Sequence, residues 1–137
     1  MERRMIKGIT VGVFDIFHLG HLNMIRNAKA NCDHLTVAVH DDKLNSKGIE
    51  FLYSLTQRME IVESIKFVDT VVAYERVDLL LEQSNFDIFL YGPDQNHQYF
   101  QRAFDYCDRN NKDMKMLQRT DGISSTIFRK VLEKKNV

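Results

Sequence analysis

The stretch Ile6-Lys-Gly-Ile-Thr-Val-Gly-Val-Phe14-Asp15-Ile-Phe-His18-Leu-Gly20-His21 decides how the chain is read. Its apolar opening, up to Phe14, has the length of a buried strand, and Leu22 to Ala30 behind it reads as a helix. His18 and His21 therefore sit where a strand hands over to a helix. A helix start presents free backbone N–H groups and a partial positive charge, which suits a phosphate. The two imidazoles share a face of that first turn. Gly20 between them removes a side chain and lets a ligand approach the backbone. Two other readings exist, a structural pair and a metal site. Zinc requires three or four protein ligands, and Asp15 alone stands near in sequence as a third.

Strand and helix signals alternate along the rest of the chain. Strands are expected over residues 6–13, 35–40, 70–74, 86–91 and 115–117. Helices are expected over 19–31, 77–83, 99–110 and 124–134, with a loop at 41–51. Ser54-Leu-Thr-Gln57 has capping-box spacing, so a further helix starts there and runs to about Phe67. Strands separated by helices argue for βαβ units in an α/β fold: a doubly wound parallel sheet of five strands with helices on both faces. In such sheets ligands bind beyond the carboxyl ends of the strands, where the strand order reverses. The unusual polar segments all follow strands: 12–21, 41–47, 92–97 and 119–126. They are expected to converge on one rim.

Composition narrows the function classes. The chain has 137 residues, which suits one domain over 1–137, and its apolar share of 44% is enough for a core. Its 19 basic and 19 acidic side chains cancel, so the basic excess of a nucleic-acid-binding domain is missing. No apolar run has membrane-spanning length, and the first residues lack the apolar stretch of a signal peptide. Cys32 and Cys107 have neither metal nor redox spacing and read as free thiols, which implies a reducing cytoplasm. Phe86-Asp-Ile-Phe-Leu-Tyr91 reads as core.

Gly12-Val-Phe-Asp-Ile-Phe-His-Leu-Gly-His21 resembles the His-x-Gly-His signature of the nucleotidyltransferase superfamily, and specifically of its cytidylyltransferases. Arg119-Thr-Asp-Gly-Ile-Ser-Ser-Thr126 resembles the second signature of that group. The spacing of the two is similar to that of the small bacterial glycerol-3-phosphate cytidylyltransferases. The resemblance implies a Rossmann-like sheet, transfer of a cytidylyl group from CTP to an alcohol phosphate, a Mg²⁺ ion carried mainly by the nucleotide phosphates, and a homodimer. It implies catalytic roles for His18, His21, Lys47 (with Lys43 as a weaker candidate) and Arg119. Nucleotide contacts are implied for Gly12, Val13, Phe14, Gly20, Gly92, Thr120, Ile123, Ser124, Ser125 and Thr126. Asp15, Arg58 and Asp94 are implied on the substrate side, Arg58 facing the active site or a subunit interface.

The second signature also has a direct physical reading. Ser124, Ser125 and Thr126 open the last expected helix and offer hydroxyls and N–H groups to phosphates, while Arg119 offers a planar fork. An N-cap serine beside a solvated arginine is the plainer alternative. The chain departs from the family pattern in three places. Lys66 stands where relatives have an arginine paired with the position of Asp69, losing bidentate geometry. Pro93 removes a backbone donor from the segment after the fourth strand. Gln95-Asn96-His97 replaces other residues there. Acceptor identity is therefore open among glycerol-3-phosphate, phosphocholine, phosphoethanolamine and other sugar-alcohol phosphates. ATP-using adenylyl transfer and a non-catalytic nucleotide-binding module are the remaining alternatives.

Overall fold

The computed structural model describes residues 4–41, 51–119 and 130–134. The elements are β1 (Lys7–Gly12), α1 (Leu19–Lys29), β2 (His34–His40), α2 (Leu55–Glu63), β3 (Thr70–Tyr74), α3 (Val77–Gln83), β4 (Ile88–Tyr91), α4 (Gln98–Arg109) and β5 (Asp113–Met116). Residues 130–134 are helical. The five strands form one sheet in the order β3-β2-β1-β4-β5, and every pairing is parallel. The expected doubly wound α/β sheet is the architecture found.

Burial explains why the central strand reads as continuous apolar sequence. Four consecutive residues of β1, Gly8 to Val11, are buried, because helices cover both faces. On one face Ile25 and Ala28 of α1 and Val62 of α2 pack with Leu35, Val37, Val39 and Leu90. On the other, Val77 and Leu81 of α3 and Phe100, Ala103 and Cys107 of α4 pack with Ile9, Val11, Ala38 and Phe89.

Several element ends differ from the sequence reading. Helix α2 stops at Glu63 instead of continuing to Phe67: the Ser64 hydroxyl bonds the Ile61 carbonyl at 2.6 Å, and tight turns at Ile65 and Val68 follow. The Ser54/Gln57 capping box that starts it is present in both directions. Strand β4 begins two residues late, at Ile88, because Asp87 is occupied at the strand start, where it receives the Lys7 N–H at 2.8 Å. Asp33 and Asp69 do the same for their neighbours, accepting from Ile6 N at 2.7 Å and Leu35 N at 2.8 Å. Three aspartates placed just before strands thus close one rim of the sheet.

The opposite rim holds the strand ends. From β1 the chain builds outward through β2 to β3, then returns to the other side of β1 with β4 and β5. The order reverses between β1 and β4, which places the crevice of the fold there.

Candidate active site

The segment after β1 is held in an unusual shape. Phe14 and Ile16 both have left-handed backbone, φ 57° and 49°. For an aromatic and a β-branched residue this conformation is costly, on the order of 1–3 kcal/mol each. Phe14 is buried, and its ring lies over Gly12 and meets the His21 ring edge-on at 5.4 Å. A Cβ on Gly12 would fall 2.8 Å from two atoms of that ring. A side chain at position 12 would therefore have to displace the buried Phe14 ring. Val13, next to it, is exposed at the crevice.

His18 is the N-cap of α1. Its Nδ1 accepts from Gly20 N at 3.0 Å, and the His18 N–H donates to His21 Nδ1 at 3.3 Å, so the two histidines make a reciprocal capping box. The rings stack at 3.8 Å. A nitrogen that accepts from an N–H carries no proton, so each neutral imidazole bears its proton on Nε2. Burial and then the charge of Arg119 pull His18 below its ordinary value. Burial, aided by His18 and opposed by Asp15, takes His21 down to about 3. Both rings are uncharged at neutral pH, the proton of each resting on Nε2.

Two of the expected substrate-side residues are turned inward. Asp15 is 2% exposed, and its carboxylate receives Leu52 N at 2.9 Å and Tyr53 N at 3.1 Å. Arg58, expected to face the site or an interface, is fully buried. Its Nη1 donates to the Val13 and His40 carbonyls, both at 2.9 Å, its Nε donates to Tyr53 O at 3.1 Å, and its guanidinium lies 4.8 Å from the Phe51 ring centre. Polyvalent donation to carbonyls is what a buried guanidinium needs. Asp15 and Arg58 therefore tie the ends of β1 and β2 to the residues that open α2.

Across the crevice, Arg119 and Asp94 form an ion pair between exposed side chains, joining the segments after β5 and β4. Gln95 links β4 to β1: its Oε1 receives Gly92 N at 2.8 Å and its Nε2 donates to Val11 O at 2.9 Å. Gly92 has ordinary room for a side chain, a Cβ there meeting Gln95 Oε1 at 3.8 Å. The exposed Pro93 lies in the same turn. The sequence marks Gln95 only as a departure from the family pattern, because its bond to β1 is made with a residue 84 positions away.

The structure thus brings His18, His21, Gly12, Val13, Phe14, Gly20, Gly92, Asp94 and Arg119 to one rim. Lys43, Lys47, Thr120, Ile123, Ser124, Ser125 and Thr126 lie outside the described residues. Lys66 is exposed beside the Phe67 ring, and Asp69 pairs with Lys29 at 2.5 Å at the strand-start rim, away from the crevice. A recess of about 460 Å³ lined by Met59, Glu63, Val68 and Asp69 to Val71 also lies toward that far rim. Cys32 and Cys107 are free thiols, their acidities weakened by burial, Cys107 to about 11. Among the described residues no three His, Cys, Asp or Glu side chains gather as a metal cluster, and no helix is long and apolar enough to cross a membrane.

Comparison with known proteins agrees with this geometry. The family model described as cytidylyltransferase-like matches residues 9–131. A glycerol-3-phosphate cytidylyltransferase of Bacillus subtilis (strain 168) is 33% identical over 126 residues, covering 89% of this chain and 93% of that protein. A FAD synthase of Thermococcus sibiricus is 38% identical over 100 residues, covering 69% of this chain and 68% of that protein. Among solved structures, a lipopolysaccharide core biosynthesis protein of Thermoplasma volcanium GSS1 superposes with a TM-score of 0.71 at 23% identity, covering 85% of this chain and 98% of that one.

Proposed function

We infer that this chain, which belongs to the cytidylyltransferase-like family of nucleotidyltransferases, transfers CMP from CTP to a small alcohol phosphate, glycerol-3-phosphate, releasing pyrophosphate and forming CDP-glycerol. The observation that carries this reading is the histidine pair. Two neutral imidazoles, each with Nδ1 tied to a backbone N–H, present two Nε2–H donors at the start of α1. That arrangement fits the oxygens of a phosphate on which charge builds.

In this reading an acceptor phosphate oxygen attacks the α-phosphorus, and the bond to the bridging oxygen breaks as pyrophosphate leaves. The attacking group is already an anion, so no general base is required, and catalysis is positioning plus charge stabilisation. His18 and His21 donate to the α-phosphate and bridging oxygens. Arg119 faces the leaving phosphates, held in place by Asp94. Lys47 and the hydroxyls of Ser124, Ser125 and Thr126 complete the triphosphate cradle, with Thr120 and Ile123 beside the nucleotide. Val13, Phe14, Gly20 and Gly92 form its walls. Asp15 and Arg58 act through the backbone they anchor.

The donor set suits a Mg²⁺ ion carried by the nucleotide. The Asp15 carboxylate binds two amides and Asp94 binds Arg119, so neither is arranged as part of a protein cage. When bound, the ion supplies charge neutralisation on the phosphates. Chelation by EDTA is expected to abolish turnover and added Mg²⁺ to restore it. The reading places the enzyme in the cytoplasm, with its CTP, and as a homodimer, for which sedimentation should give twice the chain mass of 16.1 kDa.

The FAD synthase relatives favour a second reading, adenylyl transfer from ATP. Pyrophosphate release separates the two. CTP and ATP are each offered with glycerol-3-phosphate, phosphocholine, phosphoethanolamine and FMN. CTP with glycerol-3-phosphate is expected to be the fastest pair. His18→Ala and His21→Ala are each expected to lose on the order of 10²–10³ in rate with the fold intact. No pyrophosphate from CTP with any acceptor would reject the main reading, and ATP with FMN as the fastest pair would establish the second.

A further inference from the structure

On the α3/α4 side of the same rim stands a second group of basic and aromatic side chains that the nucleotide reading leaves unused. Arg76 stands two residues beyond the end of β3, as the N-cap of α3. Its Nε and Nη2 bind the two oxygens of Asp78 at 3.1 and 2.6 Å, and its guanidinium lies 4.4 Å from the Tyr99 ring centre. Asp78 is buried, so one edge of the guanidinium is fixed from within the protein. That pairing uses one edge of the fork. Nη1 and the second hydrogen of Nη2 form the other edge, on a side chain that is 30% exposed.

Two histidines flank it. His40 ends β2 in register with Tyr74 of β3, two residues before Arg76, and its ring meets Tyr74 edge-on at 5.1 Å. His97 caps α4, accepting from Tyr99 N through Nδ1, and its exposed ring meets the Tyr99 ring edge-on at 6.0 Å. His97 stands near enough to His40 for its charge to be felt there. The group borders the histidine loop, since the Val13 and His40 carbonyls share the same Arg58 nitrogen.

We propose that Arg76, flanked by His40 and His97, is the acceptor half of the site, binding the phosphate of a polyol phosphate and disfavouring acceptors that carry a quaternary ammonium group. The proposal rests on the transferase reading above. A guanidinium already oriented by a carboxylate and an aromatic ring loses little freedom on binding a phosphate, and its free edge matches two phosphate oxygens. A quaternary ammonium needs open aromatic faces. Tyr99 instead has Arg76 over it and Arg102 at 5.6 Å, so an incoming trimethylammonium would meet like charge.

The test compares the wild-type chain with Arg76→Gln and with Arg76→Gln/Asp78→Asn, which removes the buried carboxylate's charge together with its partner. In both variants the KM for glycerol-3-phosphate is expected to rise about tenfold or more, the effect of one charge-assisted contact. The KM for CTP is expected to stay within about twofold. Wild-type kcat/KM for phosphocholine is expected to be less than about a tenth of that for glycerol-3-phosphate. An unchanged acceptor KM in the double variant, an equal rise in the KM for CTP, or phosphocholine as the better acceptor would overturn the proposal. Calorimetric titration of glycerol-3-phosphate gives a second readout. If no acceptor is turned over, the transferase reading falls, while weaker binding in the double variant than in wild type still supports the subsite. Equal binding in the two, or none in the wild type, overturns it.

Discussion

His21 carries the site's dependence on pH. Its ordinary value of 6.5 applies to the unfolded chain, and burial lowers it to about 3 in the folded one. Protons therefore bind the unfolded chain first. Stability from this group is fully present above about 6.5 and is lost as pH falls from there toward 3. His18 and His40 shift in the same direction. Thermal unfolding followed from pH 7.5 to 4.5 should show a steep loss of melting temperature, and His21→Asn, which keeps an acceptor for the His18 N–H, should show a shallower one. An identical slope in the two would remove His21 from this account.

Arg58 gives the second prediction at this scale. Arg58→Met removes the donor shared by Val13, His40 and Tyr53 and leaves their carbonyls unsatisfied. A loss of roughly 2–4 kcal/mol in urea unfolding is expected, together with a fall in kcat/KM, because both rim loops lose their anchor. The histidine pair was legible in the sequence, since its spacing and its glycine are local. The inward turn of Asp15 and Arg58 was not. Each bonds backbone groups from other loops, and no spacing rule reports which carbonyl a guanidinium will find.

Among the elements, the strand starts and strand ends divide the work. Asp33, Asp69 and Asp87 satisfy N–H groups where the strands begin. The hydrogen bond from Lys29 holds Asp69 below the usual carboxylate range, although its side chain is more than a third exposed. Asp69→Ala is expected to cost about 1 kcal/mol in thermal or urea unfolding, screened as such pairs are. Its kcat/KM should match the wild type, because the change lies at the rim opposite the crevice. The alternation of strand and helix was legible for the same reason that β1 is buried on both faces: apolar runs of strand length bounded by polar turns. The end of α2 was missed because Lys66 and Phe67 continue a helix-compatible pattern, while the stop is made by the Ser64 hydroxyl and the turns behind it. The shift of β4 has a similar origin in Asp87.

For the molecule as a whole, the core beneath α3 and α4 is centred on Phe89. It is fully buried and stacks on Phe100 at 6.4 Å, with Phe104 and Tyr91 around it. Phe89→Ala should lose roughly 3–5 kcal/mol by chemical denaturation. CTP, if it binds the folded chain alone, should restore part of that loss, by about 2.7 kcal/mol at a hundred times its Kd. A nucleotide that leaves the variant's midpoint unmoved would separate the core from the site.

The left-handed backbone of Phe14 and Ile16 sets a limit on portability. The ten residues from Gly12 to His21 look self-contained on paper, yet their shape survives because Gly12 makes room for a ring, Asp15 holds Leu52 and Tyr53, and Arg58 grips Val13. Cut out as a peptide or grafted into another loop, the same letters would relax to ordinary backbone and the two imidazoles would part. The smallest transplantable unit is the sheet's whole upper rim.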